Sequence, residues 1–235
     1  MIKKYKRLLI IPARTGSKRI KNKNFLNFYG KSMIQYSLNT AQKSKLFDSI
    51  FVSTDSTKVK KYLNNKNITV DYKRPKKLSG DKAKIIDLIF FIVKKFENEN
   101  VNFKEVWIMM PCVPCVESSD LIKASKLLSK EKTCFTTVTE NLMSPYWSYH
   151  IKKKKIEPLF KKAISKRSQN IKKTYFETGL FAGWDLNYFS KNNKLKNYKF
   201  SPIILPFFKS IDVDTIEDLK LLKFFYKHRY ELKYA

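Results

Sequence analysis

Residues 8–25 read LLIIPARTGSKRIKNKNF. The stretch opens on an unbroken apolar run, the pattern of a strand buried on both faces, as parallel sheets require. At Ala13 the character changes. A turn of small residues around Gly16 follows, and five basic side chains, Arg14, Lys18, Arg19, Lys21 and Lys23, precede Phe25. Backbone amides in such a turn converge on an anion, arginine adds a two-pronged donor and lysine a point charge. A buried strand that ends in this loop therefore predicts a polyphosphate site ahead of a merely solvated basic loop.

Outward from that stretch, strand and helix patterns alternate. SIFVST (49–54), ITVDY (68–72), EVWIMM (105–110) and CFTTVT (134–139) read as strands. SMIQYSLNTAQKS (32–44), STKVKKYLNN (56–65), AKIIDLIFFIVKKF (83–96) and SSDLIKASKLLSK (118–130) read as helices. This alternation predicts an α/β fold, a mostly parallel sheet with helices on both faces, whose ligands lie at the carboxyl ends of the strands. Asp55 or Ser56 is the expected cap of the second helix, and Ser118 or Ser119 that of the fourth. After residue 140 the pattern shifts. SPYWSYHIKKKKIEPLF (144–160) predicts two short strands around a lysine turn, and TYFETGLFAGW (174–184) a strand pair or one bulged strand. Residues 140 to 175 thus read as an insertion in a single domain spanning 1–235. SPIILPF (201–207) returns as a strand and TIEDLKLLKFFYKHRYEL (215–232) as a terminal amphipathic helix.

The 235 residues include 49 Lys and Arg against 20 acidic residues, a formal charge of +29. That balance alone would suit nucleic acid or another polyanion. The lysines, however, are spread among Asn, Ile, Phe and Tyr along the whole chain, as a solvated surface or an AT-rich coding sequence would give. Apolar residues at 43% are enough for a core. With no long apolar run and no leader pattern, neither a membrane span nor a signal peptide is expected, and three cysteines form no disulfide framework; a cytoplasmic protein is predicted.

Two familiar motifs fail on spacing. Gly30, Lys31 and Ser32 spell the end of a Walker loop, but the position five before Gly30 is Phe25, and a dinucleotide fingerprint needs more than the single Gly16. Cys112 and Cys115 in PCVPC (111–115) have redox or zinc spacing, yet Cys134, His150 and His228 supply no second pair, so a loop after a strand is the favoured reading. Two histidines and no nucleophile elbow leave a serine or cysteine triad unsupported. In SIDVDTIEDLK (210–220), Asp212 and Asp214 stand two apart, so extended backbone aims both carboxylates to one side, where they could share a divalent cation. Asp214 could equally cap the final helix. Opposite a triphosphate loop, magnesium-assisted nucleotidyl transfer is the chemistry such a pair suits.

Taken together, IIPARTGSKRIKNKN, FVSTDS (51–56), KRPKKLSGD (73–81), PCVP, KRSQNIKKTYFETG (166–179) and IDVDTIEDL (211–219) resemble the CMP-nonulosonic acid synthetases, the sialic, pseudaminic and legionaminic acid cytidylyltransferases. CMP-Kdo synthetases are more distant relatives. The resemblance runs over nearly the whole chain and implies a Rossmann-like nucleotidyltransferase sheet. It also implies transfer of CMP from CTP to the anomeric hydroxyl of a nine-carbon acidic sugar, with release of pyrophosphate and Mg2+ as cofactor. By that resemblance Arg14 and Lys23 match triphosphate contacts, Ser17 and Asn24 further loop contacts, and Ala13 backbone near the cytosine. Arg74 and Ser79 match the segment around the nucleotide, Asp212 and Asp214 the magnesium carboxylates, and Arg167 and Gln169 the sugar side. The insertion matches a segment that dimerises and completes the cleft, so a homodimer is implied.

Departures narrow the acceptor. Met110 replaces the glutamine usual in sialic acid enzymes, and ETGLFAG (177–183) replaces their Asn-Gly-Ala segment; KRSQNIKKTYFETG is similar to the pseudaminic acid branch, where an acidic residue, a small residue and glycine follow the tyrosine, and a more apolar pocket suits a deoxy sugar. Ala83 and Lys84 stand where the family often has Thr, Ser or Gly. The alternatives are a sialic or legionaminic acceptor and, from another class, a noncatalytic polyanion-binding protein that keeps the fold.

Overall fold

The computed structural model describes residues 3–14, 16, 17, 19–56, 59, 63, 68–71, 74–80, 83–191 and 199–234. The opening apolar run is the centre of the molecule. It forms β1 (Lys3–Pro12), which pairs in parallel with β4 (Ser49–Ser53) on one side and β6 (Val101–Met109) on the other. β5 (Ile68–Asp71) extends the sheet beyond β4. On the other flank, β10 (Tyr175–Asp185) runs antiparallel between β6 and β7 (Cys134–Glu140), and β11 (Phe200–Ile204) lies parallel at the edge. Among the described residues the sheet order is β11-β7-β10-β6-β1-β4-β5.

Period-two alternation in β1 explains the layers. Leu9, Ile11 and Ala13 face one side, where they pack with α1 (Met33–Ser44) and α3 (Ser118–Glu131) through Ile34, Leu38, Leu121 and Leu128. Leu8 and Ile10 face the other, against Leu88, Ile89 and Ile92 of α2 (Ile85–Asn98) and Phe189 of α4 (Leu186–Lys191). Each such side chain, buried completely, contributes about 1.5–3 kcal/mol. The half of β1 from Leu8 to Pro12, apolar at every position, therefore demands a helical layer on each face.

Gly30, Lys31 and Ser32 serve a hairpin and a helix start. β2 (Asn27–Phe28) and β3 (Lys31–Ser32) are joined through Tyr29 and Gly30, whose φ angles of 48° and 82° give the left-handed pair that a tight two-residue turn needs. Ser32 then caps α1 in a reciprocal box with Gln35.

Several local expectations change. α3 is capped by Glu117, which shares a box with Asp120, so Ser118 and Ser119 already lie inside the helix. Of the two readings of TYFETGLFAGW, the single bulged strand is the one that forms: β10 shifts register between Glu177 and Ala182 and turns at Gly179 (φ 64°). The terminal helix is divided: α5 (Ile216–Lys227) ends at His228, and α6 (Glu231–Tyr234) follows. Most of 56–65, read as the second helix, lies outside the described residues, including the positions after its expected cap. The two strands around the lysine turn form the hairpin β8 (Tyr149–Lys152) and β9 (Lys155–Pro158). No helix among the described residues is long and apolar enough to cross a membrane.

Candidate active site

The chain order of the sheet reverses at the boundary of β1 and β6: β4 and β5 follow β1 on one side, and the chain then crosses to β6 on the other. Side connections diverge at such a point and leave a crevice beyond the strand ends. A cleft of about 520 Å³ opens there, entered by Pro12 and Arg14 after β1 and by Met110 and Pro111 after β6. Its size is that of a small-molecule site.

Beneath the lining, and reaching it through Ile20, a floor is formed by a third apolar cluster in which Ile20, Cys112, Cys115 and Val213 meet Phe28 and Met33. Both cysteines are buried, and burial pushes each thiol up to about 12. Among the described residues no three metal-ligating side chains gather anywhere. Cys112 Sγ donates to Asn24 Oδ1 (3.3 Å), and Asn24 Nδ2 donates to the Arg14 carbonyl (2.8 Å). The PCVPC loop thus acts as packing, and Asn24 ties the basic loop to it.

Around this floor the cations converge. Arg14 donates to the Ser79 carbonyl (3.2 Å), and Arg74, on the same wall, donates to the Leu78 carbonyl. Arg74 Nε is buried with no hydrogen-bond partner among the described residues. Burial first, with Arg14 beside it and against the pull of Asp55, shifts the Arg74 guanidinium down from its ordinary value. A buried donor without an acceptor is costly, so this position favours an incoming anion. Lys23 begins a short turn (Lys23–Phe25) and donates from Nζ to the Val213 carbonyl; Asp214 Oδ1 is 3.3 Å and Asp212 Oδ1 3.8 Å away. Arg19 lies 2.8 Å from Asp214 Oδ2.

The two aspartates sit as their spacing predicts. Val213 is fully buried in the floor, which turns its neighbours Asp212 and Asp214 outward toward one ammonium. Desolvation, joined by the neighbouring Asp214 charge and opposed first by Lys23, raises the Asp212 carboxyl above its ordinary value. Asp214 does not cap α5. Thr215 does, in a box with Asp218, whose carboxylate also takes the Asp214 amide, so the Asp214 side chain remains in the cleft.

Arg14, Ser17, Lys23, Asn24, Arg74 and Asp214 all line the cleft, with Asp212 at its edge through Lys23. Ala13 and Ser79 stand behind it: Ala13 is buried and its amide donates to the Ser53 carbonyl, while Ser79 supplies the carbonyl held by Arg14. Ala83 lies in the lining, whereas the cap residue Lys84 is exposed. Arg167 and Gln169 are exposed around a short turn and do not line this cleft. Sequence reasoning gave Arg19 no role beyond the loop's shared charge; its ion pair with Asp214 places it inside the site, a contact between positions 195 residues apart that spacing along the chain could not reveal.

Comparison with known proteins agrees with this geometry. Residues 8–230 match the family model described as Cytidylyltransferase. The chain is 28% identical over 235 residues to a pseudaminic acid cytidylyltransferase of Campylobacter jejuni, covering 96% of this chain and 98% of that one. It is 27% identical to a CMP-N,N'-diacetyllegionaminic acid synthase of Legionella pneumophila over 60% of each. Among solved structures it resembles a CMP:2-keto-3-deoxy-manno-octonic acid synthetase complexed with CTP, at a TM-score of 0.67 and 15% identity over 95% of this chain and 99% of that one. A 4-diphosphocytidyl-2C-methyl-D-erythritol synthase of Anaerococcus prevotii gives 0.62 at 14% identity, covering 95% and 99%. These structural likenesses establish the Rossmann-like nucleotidyltransferase fold. A strand ending in a basic loop, at the switch point of such a sheet and under a model match across nearly the whole chain, places this protein in the cytidylyltransferase family.

Proposed function

We propose that the protein transfers CMP from CTP to the anomeric hydroxyl of a nonulosonic acid, with pseudaminic acid as the acceptor, in the cytoplasm. The observation that carries this reading is the meeting of Arg14, Arg74 and Lys23 around one cleft with two outward aspartates on its rim. In the reaction the anomeric hydroxyl releases its proton to solvent as its oxygen bonds to the α-phosphorus, the bond to the bridging oxygen breaks, and pyrophosphate leaves with that electron pair. Arg14 and Lys23 neutralise the triphosphate, and Arg74 offers its unused donor to the nucleotide; charge stabilisation of this kind supplies most of the catalysis in phosphoryl transfer. Ser17 and the loop amides complete the phosphate contacts, with Ala13 and Ser79 as the backing against which the base rests.

The donor set suits magnesium. Asp212 and Asp214 are hard oxygen ligands that approach one point, and Mg2+ commonly takes one or two protein carboxylates together with substrate phosphates. Held there, it would supply Lewis-acid polarisation of the α-phosphoryl group. The same aspartates hold Lys23, and through it the phosphate loop, in register with the last helix.

For pseudaminic acid the support is the Campylobacter relative, matched end to end, and the apolar Met110 and Ile85 in the lining, which suit a deoxy sugar. Arg167 and Gln169 would serve the acceptor from a second copy. The hairpin beside them exposes Ile151 (80%) directly opposite Ile156 (66%), a pairing that a homodimer contact would cover. Pyrophosphate release with CTP, Mg2+ and a panel of pseudaminic, legionaminic, sialic and Kdo acceptors tests the assignment. The pseudaminic acid reaction should give the highest kcat/KM; a preference for another acceptor corrects the substrate, and no pyrophosphate with any of them overturns the reading.

A further inference from the structure

Both carboxylate oxygens of Asp214 are engaged by phosphate-loop cations: Oδ1 lies 3.3 Å from Lys23 Nζ and Oδ2 2.8 Å from an Arg19 guanidinium nitrogen. Asp212 shares the same Lys23 at 3.8 Å. Arg19 lines the cleft, yet its side chain is 67% exposed, so its reach toward Asp214 is made by charge without packing to hold it. Lys23, by contrast, is anchored by the Val213 carbonyl.

Building on the function proposed above, we infer that Arg19 is a further triphosphate-binding residue and that it masks Asp214 until nucleotide arrives. With the cleft empty, the guanidinium occupies the carboxylate oxygen that a divalent cation needs. A triphosphate, with its several charges and planar pairs of oxygens, outcompetes one carboxylate for that guanidinium. Once Arg19 swings to the phosphates, Asp214 is released to the cation. Nucleotide and metal then assist each other through one exchange of partners, and by linkage the assistance is reciprocal. The exposure of the Arg19–Asp214 pair sets its size: such pairs are worth roughly 0.2–1 kcal/mol, or up to about fivefold in affinity.

One substitution separates this role from a structural one, because the two ligands should respond in opposite directions. In Arg19→Gln, Mn2+ binding to the nucleotide-free protein, followed by electron paramagnetic resonance, should tighten about three- to fivefold as the competing cation disappears. CTP binding in EDTA, followed by calorimetry, should weaken by a similar factor. Asp214→Asn should strengthen metal-free CTP binding and remove the Mn2+ site. A loosened fold would weaken both ligands together, and an unchanged thermal melt of Arg19→Gln guards against that. The inference is overturned if Arg19→Gln leaves Mn2+ affinity unchanged or lower, or leaves metal-free CTP affinity unchanged. If the unaltered protein binds CTP but Arg19→Gln moves neither ligand, only this inference fails. If it binds no CTP with or without metal, the proposed function fails with it.

Discussion

Two lysine–carboxylate clusters flank the short segment from Lys209 to Asp214, and they differ in nearly every physical respect. Lys209 is 6% exposed and sits between Glu117 (2.9 Å) and Asp120 (2.7 Å), with Lys233 closing on Glu117 from α6. Lys23 faces Asp212 and Asp214 at longer range, on the rim of an open cleft. The first cluster is closed and short, and it joins the α3 cap to the segment leading into the aspartates. The second is open and mixed in partners, so its ion pairs can be exchanged for a ligand. The same chemistry is a clamp where water is excluded and a binding site where it is not.

The largest expected effect breaks the open cluster. Asp212→Ala or Asp214→Ala should lower kcat by about 100-fold or more, in line with losing a principal electrostatic contact, while the thermal midpoint moves by less than about 3 °C. Near-normal turnover in both variants would remove these aspartates from catalysis.

Breaking the closed cluster should do the reverse. Lys209→Ala leaves two carboxylates facing each other near the α3 cap and should cost about 3–5 kcal/mol in urea unfolding. Lys209→Met, which keeps the volume, should still cost stability, because Asp120 remains mostly buried without its cation. A loss confined to activity, with stability untouched, would dissolve the contrast between the clusters.

A smaller effect follows from pH. Partial burial alone would raise the Glu117 carboxyl, but hydrogen bonds and charge from Lys209, then Lys233, hold it below its ordinary value. A carboxyl depressed by folding contributes stability that is fully present above its unfolded value, about 4.3, and is lost as pH falls through the folded one. Unfolding midpoints measured between pH 6 and pH 3 should therefore drop less steeply in Glu117→Gln than in the unaltered protein. Equal slopes would mean that Glu117 gains nothing from the closed cluster.

The smallest effect belongs to the floor the open cluster rests on. Cys115→Ala should cost about 1 kcal/mol or less and leave kcat/KM within twofold, and a zinc chelator should not change activity. Strong inactivation by either would restore a chemical role to PCVPC.

Much of the fold was legible because its signals are local. The unbroken apolar run Leu8–Pro12 in β1 required two helical layers, and the strand-helix alternation required a mostly parallel sheet. Asp212 and Asp214 were legible for a similar reason: a buried residue between two polar ones aims both outward whatever lies nearby. Helix caps were less so. Glu117 in place of Ser118, and Thr215 in place of Asp214, depend on which of several adjacent oxygens meets the helix axis, and neighbouring residues compete closely for that place.

By itself the sequence determined the class of the fold, the basic loop at a strand end, the paired aspartates and the failure of the Walker and zinc spacings, because each follows from periodicity or a few residues of reach. Tertiary structure alone decided which cations meet which carboxylates. Lys23 and Asp214 are 191 residues apart, Lys209 and Glu117 are 92, and nothing in their local patterns separates a clamp from a site. Burial of one pair made that distinction: Lys209 and Asp120, 6% and 14% exposed, hold the fold together, whereas the pairs left at the mouth of a cleft can trade a partner for a ligand.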